Sequence, residues 1–364
     1  MTTRKIHQKI IIMMLVITLV LSFSACDSDK TVKPDNTKKI IDCMGREVMI
    51  PENPQNVAVF YASTAHMMAM LDEGEKIVAA PRGVKTDELM LMKYPKIAET
   101  ATPYQENSIN TEELLNIDVD LALIRVSTAV NEGETEKLDK LGIPYLVVDY
   151  GNINELKNAL TVIGKTFGKE EKASDYIKYM EETIKTVSIS LKEVNKSDYP
   201  QIFHSVNEAI RTDTDGDICM EIMDLAGTIN AASAKNIKSD GNKNYTTLEE
   251  IYKWDPYAII ANEYSVTEYI LSDSKWGGLD SVKNKRVYTL PVGATRWCHP
   301  GSMEPHMGVL AIAKRFYPDE MSDIDLKQTT KDYYKKYFNI ELGDEIINKI
   351  LSGKGMRMSN TPVQ

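Results

Sequence analysis

Between Glu170 and Val194, seven apolar residues (Ala173, Ile177, Met180, Ile184, Val187, Leu191 and Val194) recur at steps of four and three. That spacing puts all seven on one stripe of an α-helix. The remaining positions are rich in Lys and Glu, so the opposite face is built for water. At 1.5 Å per residue the helix would run roughly 37 Å, longer than most globular helices. Comparable lengths of strand-helix alternation precede and follow it. The stripe therefore reads as a spine joining two lobes once.

A chain of 364 residues has room for two domains with cores of their own. Its hydrophobic content of 43% and charged content of 26% are those of a soluble body. The start differs. Arg4, Lys5 and Lys9 precede an apolar run from Ile10 to Val20, and Ser22-Phe23-Ser24-Ala25-Cys26 follows. This is an export signal over residues 1–25, too short to span a bilayer comfortably. Cys26 after Ser24-Ala25 resembles a bacterial lipobox, with Phe23 where Leu is usual, and implies lipidation of Cys26. Residues 26–39, nearly free of apolar side chains, read as a solvated tether that lifts the body off a membrane. The expected location is the outer face of the cytoplasmic membrane. A formal charge of -10 argues against nucleic acid as a partner. Cys43, Cys219 and Cys298 show no metal spacing and cannot all pair.

Along the chain, short apolar runs at Asn56–Tyr61, Lys76–Ala80, Asp120–Ile124 and Tyr145–Val148 alternate with helical segments. After the spine the same grammar resumes at Gln201–Val206, Tyr257–Ala261 and Arg286–Leu290. Continuous apolar strands separated by helices predict parallel sheets covered on both faces. Ser63, Asn110 or Thr111, Asp217 and Ser302 are the expected helix caps, and a further helix is expected from Thr247 to Tyr252. The domain reading is 40–152 for a first lobe, 153–196 for the connecting helix region and 197–364 for a second lobe with terminal helices. Ligands of such sheets bind at the carboxyl ends of the strands, which directs attention to the loops at Tyr61, Arg82, Arg125, Tyr150, Asn207, Tyr264 and 293–300.

Asp42-Cys43-Met44-Gly45-Arg46-Glu47-Val48 with Ile50-Pro51 resembles the opening of substrate-binding proteins of the ferric-siderophore and cobalamin type of ABC transporter. Asn110 to Leu115 before Asp118 to Ile124, Gly168 to Ala173, Leu225-Ala226-Gly227 and Trp254 to Ile260 resemble later family segments in the same order, over about 320 residues. The resemblance implies an α/β fold of two Rossmann-like lobes with mainly parallel sheets, joined by a single long backbone helix. It implies a monomer that captures an iron(III)-siderophore or similar metal chelate and hands it to an ABC permease and its ATPase, with no cofactor and no catalysis. Permease contacts fall by motif position on Glu112 and on Asp224, with Glu221 one turn earlier. Trp297 and the Pro300-Gly301-Ser302 stretch resemble an iron-complex branch in which the Trp faces the cleft.

Arg suits a chelate rich in oxygen because its planar fork donates to paired oxygens. The expected ligand contacts are therefore Arg82, Arg125 and Arg296, with Tyr61, Ser63, Tyr104, Tyr150, Tyr264 and Trp297 on the walls. His204 and His299 leave a haem or corrinoid contact, or a bare metal ion, open as alternatives; His66 and His306 read as structural or packed. Asp213 to Asp217 does not fit a calcium loop, since Arg211 and Ile222 fall where carboxylates are needed. No phosphate loop, dinucleotide fingerprint or nucleophile elbow is present, which leaves an enzyme only as a hidden site in the cleft.

Overall fold

The structure, a computed structural model, describes residues 36–232, 237–241 and 243–355. The export signal and Cys26 lie outside the described residues. Among the described residues no helix is long and apolar enough to cross a membrane.

Four strands form the first sheet: β3 (Val57–Val59), β4 (Ile77–Ala79), β7 (Leu121–Ile124) and β8 (Tyr145–Val147), in the order β4-β3-β7-β8 and all parallel. The second sheet repeats this winding with β9 (Gln201–Ser205), β11 (Ile229–Asn230), β14 (Ala258–Ala261) and β15 (Val287–Thr289), in the order β11-β9-β14-β15. In each sheet the winding reverses after the second strand in chain order, so that β3 neighbours β7 and β9 neighbours β14. β3, β7 and β14 are buried along their whole length, as continuous apolar runs require when helices cover both faces.

Ahead of the first sheet, β1 (Thr37–Ile41) and β2 (Glu47–Pro51) make an antiparallel hairpin. The buried Asp42 carboxylate accepts from the Met44 and Arg46 amides, from the Arg46 guanidinium and from the Val147 amide at the end of β8. The Asp42-to-Arg46 motif thus fastens the hairpin to the sheet.

Two helices connect the lobes. Ile153–Phe167 is capped by the Asn152 side chain and ends at Gly168, whose φ of 65° is the left-handed conformation that glycine takes without penalty. The spine follows as Glu170–Ser190, four residues shorter than the apolar stripe. Its inner face packs on Ile153–Phe167 and on the Pro305–Phe316 helix. Ala173, Met180, Val187 and Leu191 are buried as the periodicity predicts, while Ile177, Ile184 and Val194 are only half-buried. Tyr176 is the residue that the apolar count passes over: it is fully buried, and its hydroxyl bonds to the Met303 carbonyl at 2.7 Å and to the Tyr333 hydroxyl at 2.9 Å.

Three expected caps act otherwise. Ser63 lies inside the helix Ala62–Met70, whose capping position is Tyr61. Asp217 accepts from the Thr214 amide and closes its own turn instead of capping Ile218–Leu225. Ser302 stands ahead of a helix that begins at Pro305, and bonds to the Trp297 carbonyl. Asn110 caps as predicted, while Thr247, read as the first residue of its helix, is instead the cap of Leu248–Trp254. The first lobe also carries a short antiparallel hairpin of β5 (Tyr104–Gln105) and β6 (Ser108–Ile109), and the second an antiparallel sheet of β10 (Arg211–Thr212), β12 (Lys238–Asp240) and β13 (Lys243–Tyr245). Strands this short and polar leave no alternation to read.

Candidate functional site

The two sheets bring their carboxyl ends together. In the first lobe β3 leads to Tyr61 and its neighbour β7 leads to Arg125, so these residues stand side by side where the strand order reverses. The Arg125 guanidinium carbon lies 4.1 Å from the Tyr61 ring centroid. From the next strand, β8, Asp149 accepts from Arg125 Nε at 3.0 Å and from its terminal nitrogen at 2.9 Å, and also from the Val126 amide. Burial would by itself lower the Arg125 pKa, but Tyr61 and Asp149 hold it above its ordinary value. The fork is thus aimed, stacked and permanently cationic.

Tyr150 crosses to the second lobe. Its hydroxyl donates to the Gly301 carbonyl at 3.0 Å, and burial pushes the phenol well above its usual range, so it remains a donor. Gly301 is required there, because a Cβ would stand 2.2 Å from the Tyr61 hydroxyl oxygen. His299 accepts from the Gly301 amide through Nδ1 at 3.0 Å. In the same loop Arg296 pairs with Glu263, which follows β14. Beneath the loop the fully buried Glu304 accepts from the Thr295 amide at 2.6 Å, the Thr295 hydroxyl at 2.8 Å and the Tyr334 hydroxyl at 2.5 Å. Burial raises the Glu304 pKa, and these donors counter it. Tyr334→Phe removes one donor from a buried carboxyl and the acceptor of the Ala294 amide. A loss of about 2 kcal/mol in unfolding free energy is expected, measured as a lower urea midpoint; an unchanged midpoint would show that Glu304 does not anchor the loop.

A pocket of about 420 Å³ opens beside Arg125, Asp149, Tyr150, Glu155, Asn158 and Cys43. Burial pushes the Cys43 thiol up to about 11, which keeps it neutral. Glu155 also borders a wider groove of about 690 Å³ lined by Asp215, Asp217, Glu221 and Asp224.

The expected contacts separate into two groups. Tyr61, Ser63, Arg125, Tyr150 and His299 converge around Gly301 or one another, and Arg296 stands in the facing loop. The others lie elsewhere. Trp297 is fully buried and does not face the cleft: its backbone carbonyl rests against Gly308 of the Pro305–Phe316 helix, and its indole nitrogen lies inward near Gly293, beside the Tyr334 ring. His204 is fully buried on β9 and bonded to Asp213, so it is no cleft wall. Arg82 is exposed and borders neither pocket. Tyr104 stacks on Phe60 and bonds to Thr128. Tyr264 is engaged by Glu268, with Lys354 over its ring. Glu221 accepts from the Ile153 amide at 2.8 Å, which gives it a capping task, whereas Glu112 and Asp224 are exposed. Asp149, Glu263 and Gly301 were not among the expected contacts. An acid two residues past a strand, beside an Arg that directly follows the neighbouring strand, was the signal for Asp149.

Residues 57–292 match the family model described as periplasmic binding protein. The chain belongs to this family. Its members among the relatives are substrate-binding proteins of ABC importers. The molybdate-binding protein MolA of Haemophilus influenzae is 25% identical over 321 residues, covering 82% of this chain and 90% of that protein. The petrobactin-binding protein YclQ of Bacillus subtilis is 25% identical over 321 residues, covering 82% and 95%. A periplasmic solute-binding protein from Veillonella parvula shares the fold with a TM-score of 0.75 at 23% identity, covering 88% of this chain and 99% of that one. Molybdate-bound MolA does so with a TM-score of 0.74 at 21% identity, covering 84% and 99%. The two-lobed α/β fold and the importer-type binding role follow; the cargo does not.

Proposed function

We propose that this chain captures a compact metal chelate, of the iron(III)-siderophore kind, between its lobes and delivers it to an ABC permease without changing it chemically. The observation that carries this reading is the Tyr61–Arg125–Asp149 arrangement at the strand reversal of the first sheet, facing the Arg296–Gly301 loop of the second. A stacked, cationic fork suits paired oxygens of a chelate, and the tyrosines supply apolar wall with polar tips. Exposed Glu112 and Asp224 are proposed as the permease contacts, with lipidated Cys26 as the anchor on the outer face of the cytoplasmic membrane.

A second reading is a small metal oxyanion. The direct Tyr150–Gly301 bond between the lobes favours it over a bulky corrinoid or haem, and one relative is named for binding molybdate. Calorimetric titration of the mature protein with ferric catecholates, ferric hydroxamates, molybdate, cobalamin, haem and divalent metal salts separates these. Saturable one-to-one binding of a ferric chelate is expected. Saturation by molybdate alone would replace the first reading with the second, and turnover of any titrant would overturn the binding role.

A further inference from the structure

Three donors meet inside the second lobe, away from the pocket. His204 sits on β9, Cys219 in the first turn of the Ile218–Leu225 helix and Cys298 in the loop after β15. One ligand atom from each lies within 4.8 Å of the others, and all three residues are completely buried. Asp213, itself 3% exposed, meets His204 Nδ1 at 2.5 Å. His204 Nε2 has no hydrogen-bond partner among the described residues. A buried ring nitrogen without a partner is costly. Here it belongs to an imidazole already fixed by a carboxylate, the arrangement that orients metal-bound histidines.

We propose that His204, Cys219 and Cys298 bind a divalent cation of the zinc class, through Nε2 and two thiolates, with Asp213 as the positioning residue. The donor set is the sulfur and nitrogen combination such a cation takes, with bonds of about 2.3 Å to sulfur and about 2.0 Å to nitrogen. Donors around one tetrahedral ion stand about 3.5–3.8 Å apart on those bond lengths, so the side chains close by roughly 1 Å on binding. Each Cys S–H bond breaks and Nε2 gives up any proton it carries, these protons pass to solvent, and two sulfur–metal bonds and one nitrogen–metal bond form; no electrons are transferred. Two positive charges offset the two thiolates, which a monovalent ion would leave uncompensated in a buried site. A disulfide between Cys219 and Cys298 is the competing fate of two neighbouring sulfurs. It would leave Nε2 without a partner and give Asp213 nothing to orient. The ion would tie β9, the Ile218–Leu225 helix and the cleft loop together whatever the cargo.

The test uses the full chain with Cys26 and Cys43 replaced by Ser, reduced and stripped with a chelator, so that Cys219 and Cys298 are its remaining thiols. Titration with Co²⁺ should give thiolate-to-cobalt charge-transfer absorption that saturates at one equivalent and is displaced by one equivalent of Zn²⁺. C219S and C298S should each reduce that absorption. D213N, which keeps the size of the side chain, should weaken Zn²⁺ binding about 10- to 100-fold, with an unchanged circular-dichroism spectrum showing that it folds. Absence of the band in the folded, reduced protein would overturn the proposal. So would the same band in C219S and C298S, or a native mass two hydrogens short that no metal alters, which would establish the disulfide.

Discussion

Arg125→Ala is expected to weaken cargo binding roughly 10- to 100-fold, the range for losing hydrogen bonds to a charged group, about 1.5–3 kcal/mol. The residue directly follows β7, lies over the Tyr61 ring and is clamped by Asp149, so its fork is ordered before cargo arrives. Preorganisation of this kind reduces the ordering entropy that binding would otherwise cost. Arg125→Lys should recover little, because an ammonium keeps the charge but neither the paired donors nor the flat stacking face. The fold should survive either change, since Asp149 still accepts from the Val126 and Tyr150 amides. Exposed Arg82 serves as the control, and Arg82→Ala should bind as the parent does. Calorimetric dissociation constants for the cargo found by titration decide the matter. Equal affinity in the parent and Arg125→Ala would put the binding site elsewhere.

The second large effect concerns acid stability. His306 is fully buried among Tyr176, Tyr179 and Tyr333, with ring centroids 5.4 to 5.6 Å away, and neither nitrogen has a partner among the described residues. Burial lowers its pKa from 6.5 to about 3. The unfolded chain therefore takes up this proton as pH falls through 6.5, while the native protein refuses it until about 3. Stability from this group is whole above pH 6.5 and is lost progressively between 6.5 and 3. At about 1.36 kcal/mol per unit, the loss approaches about 5 kcal/mol at the acid end and about 3 kcal/mol by pH 4. Glu304 works in the opposite direction, since its raised pKa favours the native state as pH falls, so the comparison must be made within one position. His306→Phe keeps a flat ring in the aromatic surround and removes the titration. Urea unfolding at pH 7 and pH 4 should show a drop about 3 kcal/mol smaller in the variant. Equal drops would mean that His306 is protonated in the native protein.

The strands of the two sheets were legible in the sequence, except the two-residue edge strand β11, because strands covered on both faces must be apolar throughout, as in Leu121–Ile124 and Ala258–Ala261. The spine was legible because one face of a long helix must be apolar at period 3.6. Its inner polar anchor, Tyr176, was not, since the partner that satisfies its hydroxyl lies 127 residues away at Met303. Arg125 and Tyr150 could be named from their places at strand ends. Their bonds to Asp149 and Gly301 depend on strand order and on the approach of the lobes, which local spacing does not encode. Trp297 shows the same limit: a loop indole beside a crevice reads equally well as wall or core, and the turn before the Pro305–Phe316 helix makes it core. The cluster of His204, Cys219 and Cys298 spans three elements separated by up to 94 residues, so no spacing rule applies.

Each wall of the cleft carries its own counter-ion: Asp149 for Arg125 on one side and Glu263 for Arg296 on the other. The cleft is thus a pair of zwitterions and not a bare positive hole. On the proposed reading, an anionic cargo oxygen would enter by exchange, sharing or displacing a carboxylate already seated on the guanidinium. Affinity then reflects the difference between two ion pairs, and a bound simple salt ion gains little where a rigid multidentate ligand gains at both walls together.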